Sequence, residues 1–224
     1  MSEGVLLGIQ TCSSCSPAFI RHWPYFQRQQ ADYYIAIVTE DKPCQVPPGV
    51  PKIEVGVDKY LDGAHLPNRL INSISKLLHC SWDILILCEY DVLIVNRIQT
   101  ENMTESVAAH LAGGRTWGSI AEKFYHNPFV MTREAAMKVE LYGRHLLSFP
   151  EFFPVGSPES SPDLFFAWLM QRHSFAVQTD LWREYSRNSL DVLGHLDEAR
   201  QAYRDGYDIL HGIKTKEELD FITT

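Results

Sequence analysis

The sequence predicts an α/β fold on a mostly parallel central sheet with helices on both faces. Three observations predict it: short apolar runs that do not alternate, amphipathic stretches between them, and polar residues gathered where the runs stop. Val5 to Ile9 and Asp83 to Cys88 are nearly continuous apolar runs, the pattern of strands buried on both faces. Tyr34 to Val38 repeats that character after an amphipathic stretch carrying Phe19, Trp23 and Phe26, and Ile53 to Val55 is a weaker third strand after a Pro-rich loop. The rhythm is strand, helix, strand.

From Pro67 the spacing changes. Leu70, Ile71, Ile74, Leu77 and Leu78 follow the helical i, i+4, i+7, i+8 pattern, with proline in the opening turn. The strand at Asp83 to Cys88 then runs straight into Glu89-Tyr90-Asp91 and a second apolar run, Val92 to Val95. Thr104 to Leu111 reads as a helix stopped by Gly113-Gly114. Pro128 to Met131 reads as a strand, leading into a helix from Thr132 to about Tyr142 that Gly143 closes.

Phe149 to Ser161 is a Pro-rich loop. Ser161-Pro162-Asp163 has a capping hydroxyl, a first-turn proline and an acid near the positive end of a helix, and Leu164 to Met170 behind it is apolar nearly all round. Tyr207 to Leu210 reads as a short strand, followed by His211-Gly-Ile-Lys214 and a capping box, Thr215-x-x-Glu218, that opens a last helix. No internal repeat or linker interrupts the chain, so residues 1–224 are expected to form one domain.

Composition narrows the function. Hydrophobic residues make up 45% of the chain and charged residues 21%, the balance of an ordinary globular protein. A formal charge of −8 argues against nucleic acid or an anionic membrane surface as main partners. Five cysteines, at 12, 15, 44, 80 and 88, are expected to be reduced thiols in a cytoplasmic protein. The start lacks a basic segment before its short apolar run, and no run approaches membrane-spanning length. Any membrane-bound acceptor would be reached through a partner or a peripheral surface.

In open α/β sheets ligands settle beyond the carboxyl ends of the strands, which directs attention to Glu89 and Asp91. Alternation along extended backbone puts both carboxylates on one side, where two hard oxygen donors suit Mg²⁺ or Mn²⁺ bridging a diphosphate. Read as a stretch, Asn68-Arg69-Leu-Ile-Asn72 followed by Trp82-Asp-Ile-Leu-Ile-Leu-Cys-Glu89-Tyr90-Asp91 resembles the helix and DxD strand of GT-A glycosyltransferases. Phe129-Val-Met-Thr-Arg-Glu-Ala-Ala136 resembles their later strand and helix, and His211-Gly-Ile-Lys214 their closing HG…K element. Glutamate stands at 89 where the family motif begins with aspartate; its longer carboxylate still reaches a cation or a ribose.

The resemblance implies a Rossmann-like GT-A domain that moves a sugar from a nucleotide-diphosphate donor, expected to be a UDP-sugar, to a hydroxyl on a glycan, lipid or protein. Residues 1–100 would hold the donor and 101–224 the acceptor. Glu89, Asp91 and His211 are the expected ligands of Mn²⁺ or Mg²⁺, and Lys214 would meet the diphosphate. Thr11, Asp41, Arg69, Asn72, Glu89 and Tyr90 are the candidate donor contacts. Asp163 would take the proton from the acceptor hydroxyl, with Glu159 as its competitor.

Alternatives remain for each residue. Arg69 and Asn72 share a helix face that could simply be solvated, Asp163 is favoured at a helix start whatever the chemistry, and His211 and Lys214 could be ordinary loop residues. Two other functions compete. A non-catalytic nucleotide-sugar-binding protein of the same fold would accommodate Glu89, and Cys12-Ser-Ser-Cys15 after a strand is the context of a thioredoxin-like thiol oxidoreductase. Zinc has no second cysteine pair to bind, and no Gly-rich phosphate loop follows the first strand as a nucleotidyl transferase would suggest.

Overall fold

Apolar runs that bury both faces become the inner strands, and the amphipathic stretches cover them. A computed structural model of the chain describes residues 4–39, 42–55, 65–111, 124–149, 162–186 and 195–224. In chain order the elements are β1 (Val5–Thr11), α1 (Ser16–Phe26), β2 (Tyr33–Val38), β3 (Lys52–Glu54), α2 (His65–Leu77), β4 (Ile84–Glu89), β5 (Val92–Ile94) and β6 (Val107–Leu111). They continue with β7 (Phe124–Thr132), α3 (Arg133–Leu147), α4 (Pro162–Arg172), β8 (Val177–Gln178), β9 (Glu184–Ser186), α5 (Leu196–Arg204), β10 (Ile209–His211) and α6 (Lys216–Thr223).

Seven strands form the large sheet in the order β3-β2-β1-β4-β7-β6-β8. β1 to β4 run parallel, β7 runs antiparallel between β4 and β6, and β8 is parallel to β6. From β1 the chain steps outward through β2 and β3, then returns to start β4 on the other side of β1. That reversal is a topological switch point, the place where open α/β sheets bind their ligands. β5, β9 and β10 make a separate three-stranded sheet in the order β5-β10-β9.

Two apolar layers sandwich the large sheet. On one face Leu6, Ile37, Leu85, Leu87 and Phe129 pack against α2, α3 and α4 through Ile71, Ile74, Val139, Phe165 and Phe166. On the other, Leu7, Ile9, Ile86 and Val130 pack against Phe19 and Phe26 of α1 and against Val92, Ile94 and Ile209 of the small sheet. The outer face of the small sheet, through Leu93 and Leu210, is covered by α5 and α6. Helices therefore cover both faces of the large sheet, as expected. Among the described residues no helix is long and apolar enough to cross a membrane.

Three expectations need correction. The segment predicted as a helix over Thr104–Leu111 contains the strand β6, with Val107 paired to Met131 and Ala108 to Val130. Val107 and Ala109 enter one core layer and Ala108 the other, so the run is buried on both faces, where hydrophobic period alone does not separate helix from strand. Gly143 does not close α3, which continues to Leu147. A Cβ at Gly143 would collide with the Ile71 side chain, so this glycine permits the close approach of α2 and α3. Finally, Cys12 and Cys15 are joined as a disulfide, while Cys44, Cys80 and Cys88 are free. The expectation of five reduced thiols fails at that pair because the β1–α1 turn holds their Cα atoms 5.0 Å apart, within bridging range.

Candidate metal and diphosphate site

β4 ends at Glu89, and the chain turns through Tyr90 and Asp91 to leave the large sheet as β5. Antiparallel pairing of Val92 with His211 then carries a distant segment alongside Asp91. The backbone N–H groups of Gly212 and Ile213 both donate to the Asp91 carbonyl, each at 3.1 Å. Gly212 has φ of 87°, a left-handed conformation that side chains disfavour, so glycine there lets the chain fold back over the acidic turn. The capping box of α6 continues the device: the Thr215 side chain accepts from Glu218 N–H, and the Glu218 carboxylate accepts from the N–H of Lys214 at 2.7 Å.

The result is a small polar cluster in an otherwise apolar layer. One ligand atom from each of Glu89, Asp91 and His211 lies within 4.8 Å of the others. Asp91 Oδ1 is 3.8 Å from His211 Nε2, and Asp91 Oδ2 is 3.8 Å from Lys214 Nζ. The Asp91 side chain is 5% exposed and that of Lys214 53%, so the cluster has a buried carboxylate at its base and a cation at its mouth. Among the described residues Asp91 Oδ1 is buried without a hydrogen-bond partner. A buried, unsatisfied carboxylate oxygen is costly, and a cation would satisfy it.

Electrostatics follow from burial. Removal from water raises the Asp91 carboxyl above its ordinary range and Glu89 adds to the rise, while His211 and Lys214 oppose it. For His211 burial acts to lower the pKa, but the Glu184 carboxylate beside it, with the charges of Asp91 and Glu89, outweighs it, and the net direction is upward. Burial, then the charges of Asp91 and Glu89, push the Tyr90 phenol up to about 12. Two carboxylates and an imidazole are a donor set that suits Mn²⁺ or Mg²⁺ and leaves room for waters or phosphate oxygens. The residues present fit such an ion.

Of the other expected residues, Thr11, Arg69 and Asn72 lie among the described residues. Thr11, the last residue of β1, is buried, and its Oγ1 has no hydrogen-bond partner among the described residues. Arg69 and Asn72 are half-buried on α2, whose Ser73 Oγ accepts from Gln10 Nε2 at 2.9 Å. Gln10 pairs in register with Glu89, so α2 reaches the same edge of the sheet. Asp163 stands in the first turn of α4, though its side chain lies outside the described residues, as do Asp41 and Glu159.

Sequence reasoning missed two residues. His22 is fully buried on α1, and its Nδ1–H donates to the Tyr90 carbonyl at 2.8 Å, pinning the acidic turn. Its spacing from Phe19 and Phe26, on one helix face, was the available signal. Glu184 is the second. Its side chain is 0% exposed and faces His211, yet Arg183-Glu184-Tyr185 looks like a surface segment and carries no local sign of that burial. No protein-family model matches this chain, and no match was found among curated proteins.

Proposed function

We propose that the chain is a metal-dependent glycosyltransferase of GT-A type, transferring a sugar from a nucleotide-diphosphate donor, UDP-sugar first among candidates, to a hydroxyl acceptor. One observation carries the reading: Asp91, His211 and Glu89 converge beyond the carboxyl end of β4, at the switch point, with Lys214 Nζ 3.8 Å from Asp91. Such a site serves an anionic, cation-bound ligand and has little use for a neutral one.

A divalent ion there would supply charge cancellation to the departing diphosphate. The protein's own groups do the rest. Asp91, with its buried unpartnered oxygen, and His211 Nε2 would hold the ion, Glu89 would bind the ion or the ribose, and Lys214 would meet a phosphate oxygen as negative charge builds on it. Thr11, Tyr90, Arg69 and Asn72 would border the nucleoside and diphosphate, as Asp41 would from beyond β2. The acceptor oxygen bonds to the anomeric carbon, the bond from that carbon to the diphosphate oxygen breaks, and the hydroxyl proton passes to a carboxylate. Asp163 is the proposed base, with Glu159 as the alternative.

Release of nucleoside diphosphate from UDP- and GDP-sugars tests the reading. Release should require Mn²⁺ or Mg²⁺ and be lost in Asp91→Asn. Metal-dependent binding without turnover, on any acceptor or on water, would instead identify a non-catalytic nucleotide-sugar-binding protein. Thiol exchange at Cys12 and Cys15 is the competing chemistry, favoured by the disulfide that joins them. It leaves the Asp91, His211 and Lys214 cluster without a role.

A further inference from the structure

The buried carboxylate of Glu184 lies in a layer formed by Val92, Ile94, Trp182 and Ile209. Its position follows from strand pairing: Glu184 is in register with Ile209, and Ser186 with His211, so Glu184 and His211 project from the same face of the small sheet. Within that layer Trp182 Nε1 donates to Glu184 Oε2 at 2.9 Å. Among the described residues Oε1 has no partner within hydrogen-bond distance, and it points at His211 Nδ1, 3.7 Å away. The other ring nitrogen, Nε2, faces Asp91 Oδ1 at 3.8 Å. One imidazole thus bridges two buried carboxylates.

A carboxylate buried among apolar side chains is unfavourable unless its oxygens are engaged. Tryptophan needs only one acceptor, which glutamine would supply, so Trp182 alone does not explain a carboxylate at 184. Among the described residues the second oxygen has one group to serve, the Nδ1 edge of His211. An imidazole that gives Nδ1–H to a carboxylate presents the Nε2 lone pair on its far side, which here is the Asp91 side.

We propose that Glu184 is a positioning residue for the cation site: it holds His211 as the Nδ1–H tautomer and aims the Nε2 lone pair at the ion shared with Asp91. The inference rests on the reading of Glu89, Asp91 and His211 as a metal site. Glu184 touches neither ion nor donor; it acts through His211. In Glu184→Gln one amide oxygen must serve either Trp182 or His211, so the ring loses its fixed orientation while the packing volume is kept.

Two measurements test this on the intact 224-residue chain. The first is titration with Mn²⁺ alone, by calorimetry, of wild type, Glu184→Gln, His211→Ala and the double variant. Affinity should fall about 10- to 100-fold in Glu184→Gln, the range for loss of a carboxylate behind a ligating histidine. In the His211→Ala background the same change should cost nothing further. A wild-type affinity in Glu184→Gln, or an equal loss with and without His211, overturns the positioning role while leaving the metal reading intact. No Mn²⁺ binding by wild type overturns both. The second is ¹⁵N NMR of the His211 ring in metal-free wild type, which needs no variant to fold. The neutral ring should carry its proton on Nδ1; a proton on Nε2 overturns the proposal.

Discussion

The two sheets divide the work of the molecule unequally. The large sheet gathers strands that are mostly near one another in sequence, β1 to β4 and then β6 to β8, and fills both of its faces with Leu, Ile, Val and Phe. The small sheet takes three short strands from widely separated parts of the chain, β5, β9 and β10, and its inner face carries Glu184 and His211 among the apolar residues. The large sheet offers an edge and a switch point but only one member of the cluster, Glu89 at the end of β4. Pairing in the small sheet brings Asp91, His211 and Glu184 together. Framework and site are thus built by different parts of one fold, and their failures should separate.

The largest effect should come from a lesion in the framework. Phe129 of β7 is fully buried with its ring against Phe166, centroids 3.4 Å apart. Phe129→Ala should cost about 3–5 kcal/mol of stability, read by urea unfolding, through lost burial and the cavity left behind. Mn²⁺ affinity per folded molecule should be unchanged. Loss of that affinity in folded Phe129→Ala protein would erase the distinction between the sheets.

A milder lesion tests the helix layer. Gly143→Ala drives a methyl into the Ile71 side chain and should cost about 1–3 kcal/mol by overpacking, again without effect on the metal. An unchanged unfolding midpoint would show that α2 and α3 can part at little cost.

His22 joins the two regions, since α1 belongs to the framework and Tyr90 to the acidic turn. Burial lowers its pKa below the ordinary 6.5, partly opposed by its hydrogen bond to the Tyr90 carbonyl. With the folded value below the unfolded one, the unfolded chain binds the proton first on acidification. The contribution of neutral His22 is therefore present above pH 6.5 and lost as pH falls toward the folded value, at no more than about 1.4 kcal/mol per pH unit. Relative to His22→Asn, whose amide can still donate to Tyr90, wild type should lose stability as pH falls below 6.5. A stability difference that is flat with pH would contradict this.

The smallest effect should come from the disulfide. Replacing Cys12 and Cys15 with serine should leave Mn²⁺-dependent nucleotide binding within about twofold of wild type, because a bridge spanning one tight turn constrains little of the unfolded chain. Abolished sugar transfer with the fold intact would bring thiol chemistry forward.

The division between the sheets also explains what the sequence disclosed. The inner parallel strands β1 and β4 announce themselves locally, as short apolar runs at Val5 to Ile9 and Ile84 to Cys88, and the capping box at Thr215 and Glu218 is a local device read without tertiary knowledge. Glu89 and Asp91 were legible because they sit just past an apolar run, whereas His211 and Lys214 stood out only through the resemblance of His211-Gly-Ile-Lys214 to the HG…K element and the short strand and capping box around them. Glu184 was not. Its burial arises from pairing with β10, and a three-residue strand carries too little pattern to reveal which face it turns inward. The misread helix at Thr104–Leu111 has the same origin, because the pairing with β7 decides the conformation of an apolar stretch that period leaves ambiguous.

The central claim is that the cluster holds a cation on which a diphosphate depends. Calorimetric titration of wild type and Asp91→Asn with UDP and GDP, each with and without Mn²⁺, tests it most directly. In wild type Mn²⁺ should tighten nucleotide binding by at least about tenfold, or 1.4 kcal/mol, because the ion cancels repulsion between the Asp91 carboxylate and the diphosphate. In Asp91→Asn that gain should vanish, and metal-free binding should be no weaker than in wild type, since the repelling charge is gone. Nucleotide binding that ignores both Mn²⁺ and Asp91, or no nucleotide binding at all, would contradict the account.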